Sequence, residues 1–337
     1  MKRFILTSVV LCAALAALLA LSCSGKGSGQ FHRSSRLLLG TLVEVTVSGP
    51  TDKAKVATEA VFDEIKRVED LTSFHKPSGL TGINDTAGTG PAKPDRELLE
   101  LIELALGTAK ATRGAFDPTV GVLCRLWSFS GGEPRLPDNA EILGAMTKVG
   151  WNRVKFDNSD GTIILPEKGT ALDLGGIAKG YALDRAAEVL KKHGISSALV
   201  NAGGDVLAVG EKEPGKPWRI GIQDPRNSRE VVAVAPLKDR VIMSSGDYER
   251  FFLKDGKRYH HILNPATGYP AEGAQSVTIV ASRGVVAEPL GATIFVLGVD
   301  EGLKYVQSLP GVEALVIDPQ GQIQMTPGAR SLFELKR

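Results

Sequence analysis

Residues 172–186 read "LDLGGIAKGYALDRA": an acid just ahead of a double glycine, then a lysine inside what reads as the first turn of a helix. A match to a nucleotide motif here would mean a regularly alternating α/β chain. A dinucleotide fold needs G-x-G-x-x-G, and Gly175-Gly176 followed by Gly180 does not fit. A P-loop needs G-x-x-x-x-G-K-[ST]. Gly175 and Gly180 have that spacing, but Tyr181-Ala182 stand where Lys and Ser/Thr belong. What remains is physical: free N–H groups at a helix start, glycines that admit a ligand closely, and Lys179 nearby. Asp173 would repel a bare phosphate, so a metal or a donor-rich ligand has to stand between. A glycine-rich strand-to-helix turn with Asp173 as its cap fits the same letters.

Working outward, strands and helices do not alternate. Val43, Val45 and Val47 share one face of a strand that starts near Arg36. A helix over 51–71 carries the stripe Val61, Ile65, Val68, and a breaker-rich loop fills 73–95. A helix over 96–113 shows Leu99, Ile102 and Leu106 and stops at Gly114. A short helix over 138–147 leads to a hairpin turned by Asp160-Gly161. Residues 171–173 end a strand, and a helix over 177–192 stops at Gly194. Strands follow at 197–201, 205–209, 217–222, 230–236, 240–244, 258–263 and 276–282. Helices at 288–297 and 301–309 precede a last hairpin, "ALVIDPQGQIQM". This order predicts an α+β fold with mainly antiparallel sheets.

The chain has 337 residues, 43% hydrophobic and 23% charged, ordinary for a globular protein that buries a sizeable core. A net charge of +2 gives no support to a nucleic-acid partner. Met1-Lys2-Arg3 and the apolar run that ends in "LSC" have the layout of a signal peptide over 1–22. The run is short for a membrane span, and no basic stop-transfer cluster follows. Ser22-Cys23 resembles a bacterial lipobox. The mature chain would begin at a lipidated Cys23, followed by a Gly/Ser-rich tether to 35 and a folded domain over 36–337. That predicts a membrane-anchored lipoprotein facing the periplasm or the cell exterior. Ser24, rather than Asp, favours the outer membrane where there are two. Cys12 leaves with the signal and Cys23 carries lipid. Cys124 is then alone, in the apolar context of a buried structural thiol.

Three further stretches carry weak signals. "AGGDVLAVG" after Asn201 is a tight turn or a close backbone approach to a ligand. In "YHHILNPATGYP", strand geometry sends His260 and His261 to opposite faces, so they cannot converge on one metal. One would be buried or functional, the other exposed. In "AFDPTVG", Phe116 can stack on a flat ring and Asp117 can accept a hydrogen bond, unless this is only an Asp-Pro turn.

Together and in this order the stretches resemble the FAD:protein FMN transferases, or ApbE-like flavin transferases. The matching segments are Leu39-Gly40-Thr41, Gly114 to Val120, Asp173 to Tyr181, Asn201 to Asp205, Ser245 to Phe252 and His261 to Pro270. The resemblance covers roughly 36–325. It implies a two-lobed α+β unit with FAD between the lobes. The implied reaction is metal-dependent: AMP leaves, and FMN is attached by a phosphoester to a Thr or Ser hydroxyl of a target flavoprotein. Carried over residue by residue, it implies FAD contacts at Leu39, Phe74, Ala115, Phe116, Asp117, Asp173, Lys179, Asn201, Gly203, Gly204 and Ile262. Lys179 would supply positive potential, and His261 would orient or deprotonate the acceptor hydroxyl. The family's metal ligands map to the Gly176 carbonyl, Glu288 and Ala292. Glu288 replaces an Asp. Ala292 replaces a Thr and has no side-chain oxygen, and Thr293 lies about 100° round the helix. The expected Mg²⁺ site is therefore weakened. A non-catalytic FAD-binding lipoprotein and an FAD pyrophosphatase stay open as alternatives.

Overall fold

An eight-stranded sheet forms the spine of the computed structural model, which describes residues 31–129, 135–157 and 160–336. Its order is β1 (Phe31–Leu38), β2 (Thr41–Ser48), β5 (Ala198–Ala202), β6 (Asp205–Val209), β9 (Arg240–Gly246), β12 (Ser276–Ala281), β13 (Glu313–Ile317) and β14 (Ile323–Met325). Every neighbouring pair is antiparallel. The sheet is covered on both faces. Val43, Val45, Val47, Leu207, Val241 and Ile279 point to one side. There they meet α1 (Thr51–Thr72), α6 (Ala178–Lys192), α7 (Gly284–Leu297) and α8 (Val299–Gln307). Val206, Ala208, Ile242, Val280 and Leu315 point to the other. They pack on a second sheet of β15 (Glu334–Leu335), β8 (Val231–Leu237) and β7 (Trp218–Gln223), beside α9 (Pro327–Leu332). Burial on both faces explains why all six residues of β12 are buried, Ser276 and Thr278 along with the four apolar ones, instead of every second one.

The remaining elements build two smaller cores. One joins α2 (Gly79–Asp85) and α3 (Arg96–Ala111) through Leu80, Leu98, Leu101 and Ile102, beside the short hairpin of β3 (Lys155–Asp157) and β4 (Thr162–Ile164). The other surrounds Trp127 between α4 (Gly121–Trp127), α5 (Asn139–Met146) and the hairpin of β10 (Phe251–Lys254) and β11 (Lys257–His260). The expected α+β architecture with mainly antiparallel sheets is what the chain adopts. The expected lobes are separate cores inside one unit, Phe31–Arg337.

Several expectations change. The signal peptide, Cys23 and the tether up to 30 lie outside the described residues. Residues 31–35, read as tether, are the first half of β1, because each pairs with a residue of β2. The loop read over 73–95 contains α2. Ser78 starts it with a capping box: its hydroxyl accepts from the Thr81 amide at 3.0 Å, and its own amide donates to Thr81 Oγ1 at 2.8 Å. Residues 171–173 make only a single parallel bridge, Val120 to Ala171. Helix α7 starts at Gly284, so Pro289 lies in its second turn instead of its first and cannot donate to the Val285 carbonyl.

Candidate functional site

Two tight turns define one end of the main sheet. Leu39-Gly40 closes β1–β2 with φ of 53° and 71°, and Gly203-Gly204 closes β5–β6 with φ of 68° and 103°. Two-residue hairpins with both φ positive match the twist of the strands. Leucine rarely enters that region, and such strain clusters at ligand clamps. The β2–β5 pairing sets the turns side by side. The Gly203 amide donates to the Leu42 carbonyl at 3.2 Å, and a Cβ on Gly203 would overlap Thr41 Oγ1. Asn201 Oδ1 accepts from the Gly204 amide at 2.8 Å. The structure thus brings Leu39, Asn201, Gly203 and Gly204 together at one sheet end.

Asp205, first residue of β6 and buried, ties these turns to a charged cluster. Its Oδ1 accepts from the Ser244 amide at 2.9 Å, and its Oδ2 pairs with Lys179 Nζ. The ammonium also stands 3.9 Å from Glu288 Oε1 on α7. Glu288 Oε2 accepts from the Gly180 amide at 2.7 Å. Burial pushes the Glu288 carboxyl up to about 8, although Lys179 pulls the other way. Burial would lower the Lys179 ammonium, but Asp205 and Glu288 outweigh it and hold it above its usual value. Glu249 is within electrostatic reach of Lys179 and Asp205.

The two histidines divide the work differently from the expectation, since neither is exposed. His260 is buried and fully engaged: Nε2 is 2.7 Å from the Ala271 carbonyl, and Nδ1 accepts from the Ile262 amide at 3.3 Å. It fixes the backbone that carries His261, with Ile262 buried in the main core. His261 Nδ1 is buried with no partner among the described residues. Burial first, then the charges of Arg250 and Lys179, push this imidazole down to about 3, so it is neutral near pH 7.

The 171–179 segment runs past a second group. Asp173 Oδ1 accepts from the Gly175 amide at 2.7 Å, and the Asp173 amide donates to the Pro118 carbonyl at 2.7 Å. The Cys124 thiol bonds Asp173, and burial followed by that carboxylate raises it well above its usual value, as for a structural thiol. Phe116 is not an open stacking face: it is buried in the helical core, with its ring close against Gly176. Asp117 is buried and occupied by its own chain, accepting from the Thr119 amide and hydroxyl and from the Trp151 amide. With buried Ala115 they form the wall behind the segment. Phe74 is half-buried beside Gly121, with the Arg125 guanidinium 5.0 Å from its ring centroid. The expected anion cradle at the start of α6 is also corrected. The Ile177 and Ala178 amides donate to the Leu174 carbonyl, and the Gly180 amide is taken by Glu288. What remains of the cradle is the Lys179 ammonium, and it is paired with Asp205.

The residues present do not fit a resident divalent ion. Ala292 offers no oxygen, and Thr293 is buried with its hydroxyl donating to the Pro289 carbonyl at 2.8 Å. Glu288 is engaged by Gly180 and faced by an ammonium. Among the described residues no group of three His, Cys, Asp or Glu can hold a metal. Asp205, to which the sequence reading gives no role, is the residue that fixes Lys179. A buried acid beginning a strand directly after two glycines is the signal that points to it.

Comparison with known proteins places the chain in one group. The ApbE family model matches residues 39–316. A FAD:protein FMN transferase of Treponema pallidum (strain Nichols) is 34% identical over 325 residues, covering 91% of this chain and 90% of that protein. One from Klebsiella pneumoniae (strain 342) is 31% identical, covering 81% and 85%. The crystal structure of the ApbE protein of Thermotoga maritima superimposes with a TM-score of 0.83 at 38% identity, covering 90% of this chain and 99% of that one. The flavin transferase ApbE of Vibrio cholerae gives 0.81 at 25% identity, with the same coverage.

Proposed function

The chain belongs to the ApbE family, and on that premise we propose that it transfers FMN from FAD to a Thr or Ser hydroxyl of a target flavoprotein. The acceptor oxygen forms a phosphoester with the FMN phosphorus, the pyrophosphate bond breaks, and AMP leaves. One observation carries the reading: a part-buried Lys179 paired with buried Asp205, beside a neutral histidine whose buried Nδ1 has no partner among the described residues. Lys179 sets fixed positive charge against the phosphoryl oxygens in a water-poor site, where it acts most strongly. Asp205 holds that ammonium in place. In its Nε2–H tautomer, His261 offers a lone pair to the acceptor O–H. Its low basicity suits it to orienting the hydroxyl and taking the proton only as the P–O bond forms. The Gly203-Gly204 turn lets the nucleotide approach backbone closely. Metal dependence, implied by the resemblance, has no matching donor set, and no step is routed through an ion.

The Glu288 and Ala292 replacements favour a second reading, in which FAD is hydrolysed to FMN and AMP or is only bound. Incubating the chain from Ser28 onward with FAD, Mg²⁺ and a threonine-bearing acceptor domain separates these. A gain of the FMN mass on the acceptor is expected. AMP without labelled acceptor means hydrolysis, and intact bound FAD means a carrier; either result overturns the transferase reading. The signal-peptide layout and Cys23 support a lipid anchor facing the periplasm or exterior. Cys23→Ala should shift the full chain out of the membrane fraction, and retention there contradicts the anchor.

A further inference from the structure

Helices α6 and α7 begin side by side, and neither caps itself. The N-cap of α6 is Ile177 and that of α7 is Arg283, and neither side chain bonds its own first turn. A helix start leaves N–H groups that need acceptors. Here each helix receives a carboxylate from the other. Asp184 of α6 accepts from the Gly284 amide at 2.6 Å through Oδ1 and from the Val285 amide at 3.2 Å through Oδ2. Glu288 of α7 accepts from the Gly180 amide at 2.7 Å. The spacing is the same on both sides. In Gly180-x-x-x-Asp184 and Gly284-x-x-x-Glu288, the acid stands about one turn after the glycine it serves to align. The two glycines touch backbone to backbone, since a Cβ on either would overlap the other's carbonyl. A close crossing is thus flanked by two reciprocal caps.

We propose that Asp184 is a positioning residue for the flavin site, fixing through its cap on α7 the register of Glu288 against Gly180 and Lys179. Among the described residues Asp184 bonds the start of α7 and pairs with Arg283 at 3.5 Å, and it is neither hydrogen-bonded nor ion-paired to Lys179. Its influence is mechanical. A helix advances about 1.5 Å per residue, so a slip of one residue takes the Glu288 carboxylate out of reach of the Gly180 amide and re-spaces the charges round Lys179. The glycine contact alone does not stop such sliding, because smooth backbone has no directional bond. The two caps do.

Amide hydrogen exchange on the folded chain tests this without turnover. Asp184→Ala should speed exchange at Gly180 by roughly tenfold or more, although Asp184 bonds Gly284 and not Gly180. Glu288→Ala should do the same at Gly284. Asp138→Ala is the control: it removes the cap of α5, whose Oδ1 accepts from the Glu141 amide at 2.8 Å, and should leave both glycines unchanged. The kinetic arm rests on the flavin-transfer reading. There Asp184→Ala should lower kcat for AMP release about tenfold with KM within about threefold, and Asp184→Asn, which keeps one acceptor oxygen, should recover most of it. If Asp184→Ala does not fold, Asp184→Asn carries the exchange test with a smaller rise at Gly180. Unchanged protection at Gly180 in the folded Asp184 variants overturns the proposal, as does an equal effect from Asp138→Ala. If the wild-type chain shows no turnover of FAD, the functional reading fails while the exchange result still decides this one.

Discussion

Two charged clusters hang from α6, and burial separates them. At its start, the two acids are enclosed, Asp205 2% and Glu288 8% exposed, and Lys179 between them is part-buried, its side chain 24% exposed. Further along, Arg185 pairs with Glu64 and Glu188, and Arg67 bridges Glu64 and Glu97 from a side chain that is 43% exposed. The open cluster has the larger number of well-formed bonds, including forked ones from Arg67 to both acids. Energetics rank the two the other way. An exposed pair is worth about 0–1 kcal/mol, while burying an ion costs several kcal/mol. The open cluster is cheap fastening between α1, α3 and α6. The enclosed one is costly in stability, and what it gains is a cation held in a fixed place, as the proposed flavin transfer requires.

The comparison is broken most severely at Lys179. Lys179→Met leaves the buried Asp205 carboxylate accepting from the Ser244 amide, with its ammonium partner gone. Chemical denaturation should show a loss of about 3–5 kcal/mol, with flavin transfer abolished. A loss below about 1 kcal/mol with normal turnover would put this cluster in the same class as the open one.

A pH series sharpens the contrast at intermediate size. The unfolded chain binds a proton at His261 near 6.5, whereas the folded chain refuses it until about 3. Stability therefore falls as pH drops through that window. His261→Ala should flatten this part of the curve, and an unchanged slope would show that the ring is solvated. In the open cluster Arg67 holds the Glu64 carboxyl down at about 2 against a usual 4.5. Its contribution is present above 4.5 and fades as pH falls toward 2, and solvent keeps it small.

The smallest effect is expected at Arg67. Arg67→Ala should cost less than about 1 kcal/mol, and less still in added salt. Transfer should be unaffected. A salt-independent loss of several kcal/mol would mean that this network is closed to water.

The parts legible in the sequence were those set by local rules. The Val43, Val45, Val47 alternation marks β2, and Asp160-Gly161 marks the turn between β3 and β4. Gly203-Gly204 marks the β5–β6 turn, since left-handed backbone favours glycine, whereas Leu39-Gly40 hid its turn because leucine rarely takes that conformation. Helix α2 was hidden because its capping box uses Thr81 where Glu or Gln is usual. Phe116 and Asp117 looked available because a residue's letter does not say which way it faces; tertiary packing turned both inward. The start of α6 looked like an empty anion site for a similar reason. The acid that fills it, Glu288, comes from a distant helix, and no local spacing announces it.

The aromatic core beside the site has an optical consequence. Trp127 stacks on Phe129 and Tyr259, each with ring centroids 5.8 Å away, and donates from Nε1 to the Gly268 carbonyl at 2.8 Å. Tyr259 belongs to β11, the strand that runs directly into His261. Trp127 is one of three tryptophans in the chain. Any shift of the histidine-bearing strand disturbs the stack round the fluorophore, and a bound isoalloxazine absorbs where tryptophan emits. Arrival of a flavin and movement of that strand can therefore be followed as light, with no label attached.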